Sequence, residues 1–139
     1  MVDPDIILSK TGTVRKCLRR ISDVTHGKPG SLDELDAQDI FVLNLQRAMQ
    51  AAIDLAAHVV AQENLGLPES LKENFVLINN AGIIDAGLSQ RLQSMVGFRN
   101  IAVHDYQQIN VEVLKAILTS HLADLDRFCT CLLQKYGPG

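Results

Sequence analysis

Arg99, Asn100, His104 and Tyr106 fall within eight positions of one another, in the stretch GFRNIAVHDY. Each side chain brings a different capability to a phosphate. Arginine supplies a permanent planar charge whose fork of N–H groups matches phosphate oxygens. Histidine takes and gives a proton near neutral pH. Asparagine can orient the imidazole or donate to an oxygen. On RNA these parts suffice without a metal: a base takes the ribose 2′-OH proton, the oxygen attacks the adjacent phosphorus, and the guanidinium stabilises the added charge. A blander arrangement uses the same residues. Asn100 and His104, four apart, could hydrogen-bond along a helix, with Arg99 on the surface and the Tyr106 hydroxyl in water.

In a continuous helix Arg99 and His104 point about 140° apart. They converge if the helix ends or bends between them, or if two copies of the segment face each other across a two-fold axis.

A second polar set precedes this one. Asn44, Arg47, Asp54 and His58 recur at helical spacing, with Gln50 adjoining Asp54 at i,i+4. Asp54 and His58 could pair as carboxylate and imidazole, or supply two metal ligands, which is too few for a site. They could also form an ordinary surface pair worth a few tenths of a kcal/mol. The alternative to such a pair is that the set forms a polar wall facing the Arg99–Tyr106 segment or a dimer partner.

The elements that hold these residues read as helices. Ile7, Val14, Leu18 and Ile21 give an apolar stripe over roughly Asp3 to Val24, and THGKPG after it is turn chemistry. Ser31 and Glu34 have capping-box spacing, so a second helix starts there, or after a short first turn, and runs to Asn64. Its stripe is Phe41, Leu45, Ala48, Ala52, Leu55 and Val59. Gly66 and Pro68 end it. Ser70 and Glu73 form a second capping box, opening a short helix that closes near Gly82. Asp85 caps a fourth helix that carries Leu88, Leu92, Met95 and Val96 into the Arg99 segment. Asn110 caps a fifth, with Val111, Leu114, Leu118, Leu122, Leu125 and Leu132 as its buried face. No stretch alternates with a period of two. The expected fold is all-α: an up-and-down bundle of four to five helices, one domain over residues 1–136, and a frayed tail at 137–139.

Composition narrows the function classes. The 139 residues suit one core, and 47% hydrophobic content argues against disorder. No apolar run approaches the roughly 20 residues of a membrane helix. Three cysteines, Cys17, Cys129 and Cys131, lack metal-ligand spacing. A reduced, cytoplasmic protein is expected, with no cofactor and no metal. The net charge of −3 excludes a globally basic nucleic-acid binder. Basic residues nevertheless crowd the start: Lys10, Arg15, Lys16, Arg19, Arg20 and Lys28. They form either a solvated helix face or a local phosphate patch.

Arg99-Asn-Ile-Ala-Val-His104-Asp-Tyr106 resembles the R-x4–6-H signature of the HEPN superfamily, in the R-N-x-x-V-H-x-Y form of the HepT toxins. The likeness extends to LNLQRAMQAAIDLAAHVVAQ (43–62) and to MVGFRN before the motif, and covers roughly residues 5–130. It implies a homodimeric, metal-independent endoribonuclease toxin whose motif residues meet at a cleft between subunits. It also implies a partner, the nucleotidyltransferase antitoxin MntA, which transfers AMP from ATP to the motif tyrosine. By matching positions, Arg99 and His104 would be catalytic, Asn100 would support them and Tyr106 would be modified. Arg47, Asp54 and His58 would line the cleft. Asp105, a carboxylate beside a phosphate site, fits this pattern less well. A competing expectation is a non-catalytic module that binds nucleotide or RNA, or docks a nucleotidyltransferase.

Overall fold

The computed structural model describes residues 1–138, so Gly139, the last residue of the expected tail, lies outside the described residues. Six α-helices follow in order: α1 (Pro4–Thr25), α2 (Leu35–Gln62), α3 (Leu71–Asn80), α4 (Ala86–His104), α5 (Val111–Ser120) and α6 (Leu122–Tyr136). Two 3-10 turns, Pro29–Asp33 and Tyr106–Gln108, precede α2 and α5. The described residues contain no strand.

Helix α2 is the axis of the molecule. Ala48, Ala51, Ala52, Leu55, Ala56 and Val59 are buried along it. Its small side chains let α1, α3, α4 and α6 pack against it from several directions. Phe75 of α3 and Phe128 of α6, both fully buried, meet edge to face with centroids 5.6 Å apart.

Most helix starts are where the caps place them. The Asp3 carboxylate accepts from the Asp5 N–H (2.9 Å), with Pro4 at the first helical position. Ser70 accepts from the Glu73 N–H (3.1 Å), Asp85 from Leu88 (2.7 Å) and Asn110 from Glu112 (2.8 Å). The expected box at Ser31 does not form. Its hydroxyl instead donates to the Lys28 carbonyl (2.6 Å) inside the 3-10 turn that Pro29 begins, and α2 starts after that turn without a side-chain cap. The turn is anchored by the fully buried Leu32.

The expected fifth helix is two helices. The chain breaks at His121, whose N–H still bonds the Ile117 carbonyl (2.9 Å). The two halves pack on different partners: α5 against the first 3-10 turn, α6 against α1, α2 and α4. The apolar stripe keeps its phase across the break, with the polar His121 at the position where they part. Periodicity alone therefore hides the bend.

Candidate active site

Helix α4 buries Leu88, Leu92, Met95, Val96, Phe98 and Ala102, which leaves Arg99 and Asn100 on its flank, half-buried beside α2. The helix runs unbroken through Arg99 to His104. It ends where the Asp105 N–H bonds the Ile101 carbonyl (2.7 Å). The bend that would bring Arg99 and His104 together in one chain is absent, so the two side chains leave the helix in divergent directions.

Arg99 is held by neutral groups. Its guanidinium donates through one Nη to the Asn100 amide oxygen (3.1 Å) and through the other to the Gln50 amide oxygen. Its Nε is buried and has no partner. Gln50 donates onward to Asp54 (2.9 Å), whose other oxygen takes the Lys10 ammonium (3.0 Å). A chain of contacts therefore crosses α4, α2 and α1: Arg99, Gln50, Asp54, Lys10. Asp54 sits on the site's far edge, neutralised by Lys10, and the arginine keeps an uncompensated charge.

Two expected arrangements differ. Asn100 accepts from Arg99, and no hydrogen bond joins it to His104. Asp54 and His58 do not pair. The His58 Nε2 accepts the Asp3 N–H (3.0 Å), fastening the start of α1 to the end of α2. An imidazole accepting at Nε2 carries its proton on Nδ1, so His58 is neutral in this role. It is an anchor for the first helix. Asn44 also leaves the expected wall: it is buried, and its amide donates back to the Ile40 carbonyl (2.9 Å). Arg47 stays exposed and lies with Lys16 and Arg20 around the Cys17 thiol, which burial pushes up and these three cations pull back. Of the basic run, Lys10 and Arg15 are spoken for by Asp54 and Asp126.

His104 is exposed at the end of α4, and Tyr106 follows in the second 3-10 turn. The Tyr106 hydroxyl donates to the Asp39 carboxylate near the start of α2. Partial burial, and then the hydrogen bond and charge of Asp39, push the phenol up to about 12. Sequence reading does not find this contact, because sixty-seven residues separate the partners and Asp39 belongs to no motif. Nor does it find Gln50 as the support of Arg99, although the i,i+4 spacing of Gln50 and Asp54 is visible. Around the site Leu43, Ile101, Val103 and Tyr106 are 41–47% exposed. No three of the described His, Cys, Asp and Glu side chains group as a metal-ligand set.

The arrangement can seat an anion beside Arg99, exchange a proton at His104 and offer a hydroxyl at Tyr106. Residues 14–132 match the ribonuclease HepT-like family. The chain is 40% identical over 124 residues, 89% of its length and 93% of the relative's, to the mRNA nuclease HepT of Shewanella oneidensis. Two solved structures superpose over 94% of this chain and 98% of theirs. One is the tri-AMPylated Shewanella oneidensis HEPN toxin in complex with its MNT antitoxin (38% identity, TM-score 0.87). The other is a toxin–antitoxin assembly with AMP-PNP (37% identity, TM-score 0.88). No helix among the described residues is long and apolar enough to cross a membrane.

Proposed function

Since the chain belongs to the ribonuclease HepT-like family, we propose that it is a metal-independent endoribonuclease toxin acting on cytoplasmic messenger RNA, with Arg99 and His104 as its catalytic pair. The observation that carries the reading is the setting of Arg99. A guanidinium held by two amide oxygens, with no carboxylate on it, is positioned and still fully charged for a phosphate. His104 takes the 2′-OH proton. The 2′ oxygen then attacks the neighbouring phosphorus, and Arg99 stabilises the charge that develops on its oxygens. The 5′ oxygen leaves with a proton returned by an imidazolium, so a 2′,3′-cyclic phosphate is the first product. Asn100 fixes the guanidinium.

The site is built from two copies. On the straight α4 the guanidinium and imidazole of one chain diverge, so a common phosphorus needs Arg99 of one subunit and His104 of the other. The exposed Leu43, Ile101 and Val103 surround the site and give a second copy an apolar surface to cover. Pairing also places two arginines in one cleft of an acidic protein. Asp54 stands behind Gln50 on that cleft's α2 side.

The partner is a nucleotidyltransferase antitoxin that transfers AMP to Tyr106. Two residues beyond His104, the modified tyrosine carries bulk and negative charge into the space where RNA phosphates bind, and blocks the toxin by sterics and repulsion.

Expression of His104→Ala tests the catalytic assignment. It is expected to abolish growth arrest and RNA cleavage, while circular dichroism and dimer mass stay those of the parent. The parent's cleavage should persist in chelator and leave cyclic phosphate ends. Arrest by the alanine variant at the parental level would refute the role of His104.

A further inference from the structure

The hydroxyl of Tyr106 makes its hydrogen bond to a carboxylate, as the donor. That geometry has a chemical meaning if the tyrosine is the AMP acceptor, and the inference below rests on that reading. A phenol raised to about 12 is ionised in only about one molecule in 10⁵ at pH 7. Attack by preformed phenolate is therefore rare, and a base must take the proton as the new bond forms. The group in contact with that proton is Asp39. His104, two residues away in sequence, and the neighbouring Asp105 have no hydrogen bond to the phenol. With the proton committed to Asp39, the lone pairs of the phenol oxygen remain free for an electrophile, and the tyrosine is 45% exposed to receive one.

We propose that Asp39 of the toxin is the general base for its own modification. The Tyr106 oxygen attacks the α-phosphorus of ATP held by the nucleotidyltransferase. As the O–P bond forms, the phenolic proton passes to the Asp39 carboxylate and the bond to pyrophosphate breaks. The products are the tyrosyl AMP phosphodiester, pyrophosphate and a protonated Asp39, which is exposed and returns its proton to water. The toxin thus supplies the base, and the antitoxin supplies the nucleotide and its activation. General bases typically contribute 10²–10⁴-fold, and a carboxylate far more acidic than the phenol belongs at the low end of that range.

Asp39→Asn separates this role from simple positioning. The amide oxygen accepts the same hydrogen bond and holds the tyrosine, but it cannot take the proton. A second discriminating feature follows from valence. A phenol oxygen is esterified once, so any further AMP must be carried by the AMP already attached, away from Asp39. The substitution should therefore slow the first addition alone.

The experiment is a time course of intact mass on the full-length chain, incubated with its cognate nucleotidyltransferase, magnesium and ATP. For Asp39→Asn the inference expects about a 10²-fold lower kcat for the first AMP at unchanged KM for the toxin. Any later additions should proceed at the parental rate, and Asp39→Glu should recover part of the loss. An unchanged thermal midpoint for Asp39→Asn confirms that the fold is kept. Parental AMP transfer to Asp39→Asn would overturn the inference. So would a raised KM with normal kcat, or an equal slowing of every addition. A parent chain that gains no AMP at Tyr106 would overturn the reading beneath it, an outcome visible before any variant is made.

Discussion

Arg91 and Arg99 stand about two turns apart on α4. Arg91 donates through Nε to Asp124 at 2.9 Å, and that carboxylate is only 10% exposed, with His121 Nδ1 3.5 Å from its other oxygen. Arg99 meets only the amide oxygens of Gln50 and Asn100. The first arginine has its charge matched inside the protein and ties α4 to α6. The second has its geometry fixed and its charge left over. Partner chemistry, more than residue type or burial, separates a structural cation from one available to a substrate.

The largest expected effect tests that distinction by exchanging deletions. Arg99→Ala should lower RNA cleavage about 10²–10³-fold, the range seen when one positioned donor to a transition-state oxygen is lost. Its stability should move little, since the groups left behind are neutral and partly wet. Arg91→Ala should do the reverse. Cleavage should stay within about twofold, while stability falls about 2 kcal/mol because Asp124 is left buried and short of a donor. The figure is below that for a fully buried pair because Arg91 itself is 38% exposed and screened. Cleavage rates and denaturant midpoints on the two variants check both halves. Equal losses in either measurement would erase the contrast.

A change of partner should convert one arginine into the other. Gln50→Glu places a carboxylate on Arg99, gives it the status of Arg91, and should cost about tenfold in cleavage, or about 1.4 kcal/mol. It also sets two carboxylates at i,i+4 with Asp54, a small penalty to helix α2. Gln50→Ala is the control, because it frees the guanidinium without neutralising it. Single-turnover cleavage by both variants decides between charge and placement. A smaller loss for the glutamate than for the alanine would mean that placement dominates.

The placement of Arg99, Asn100 and His104 on α4 was legible because their spacing is local and helical; Tyr106 falls in the 3-10 turn just beyond. Also legible were the caps at Ser70, Asp85 and Asn110, each of which needs only residues two or three positions away. That a polar face of α2 lies against the motif was one of the readings the spacing allowed, but the individual contacts were not legible. Gln50 reaches Arg99, and Asp39 reaches Tyr106, only once α2 lies against α4, and neither pairing leaves a mark in periodicity. The same limit misplaced Asp54 and His58. Their i,i+4 spacing predicts a pair, yet each has a better partner on α1: an ammonium for the carboxylate, a helix-start N–H for the imidazole. Ser31 shows the converse, a correct capping spacing overridden because Pro29 begins a tighter turn first. His121 shows a bend that an in-phase apolar stripe conceals.

Lys10 gives the smallest effect and bounds how far the contrast extends. Its ammonium contacts Asp54 at 3.0 Å with both side chains 40% exposed, so the pair should stabilise the fold by less than about 1 kcal/mol. Lys10→Met should leave cleavage within about twofold of the parent, because Asp54 touches Gln50 and never Arg99 itself. The uncharged Gln50 side chain is then an insulator: it transmits position from α1 and α2 to the guanidinium without transmitting charge. If Lys10→Met instead lowers cleavage as far as Gln50→Glu does, the unmasked Asp54 carboxylate acts on Arg99 through the amide. Arg99 would then differ from Arg91 in the distance to its carboxylate, and the neutral shell would be a matter of degree.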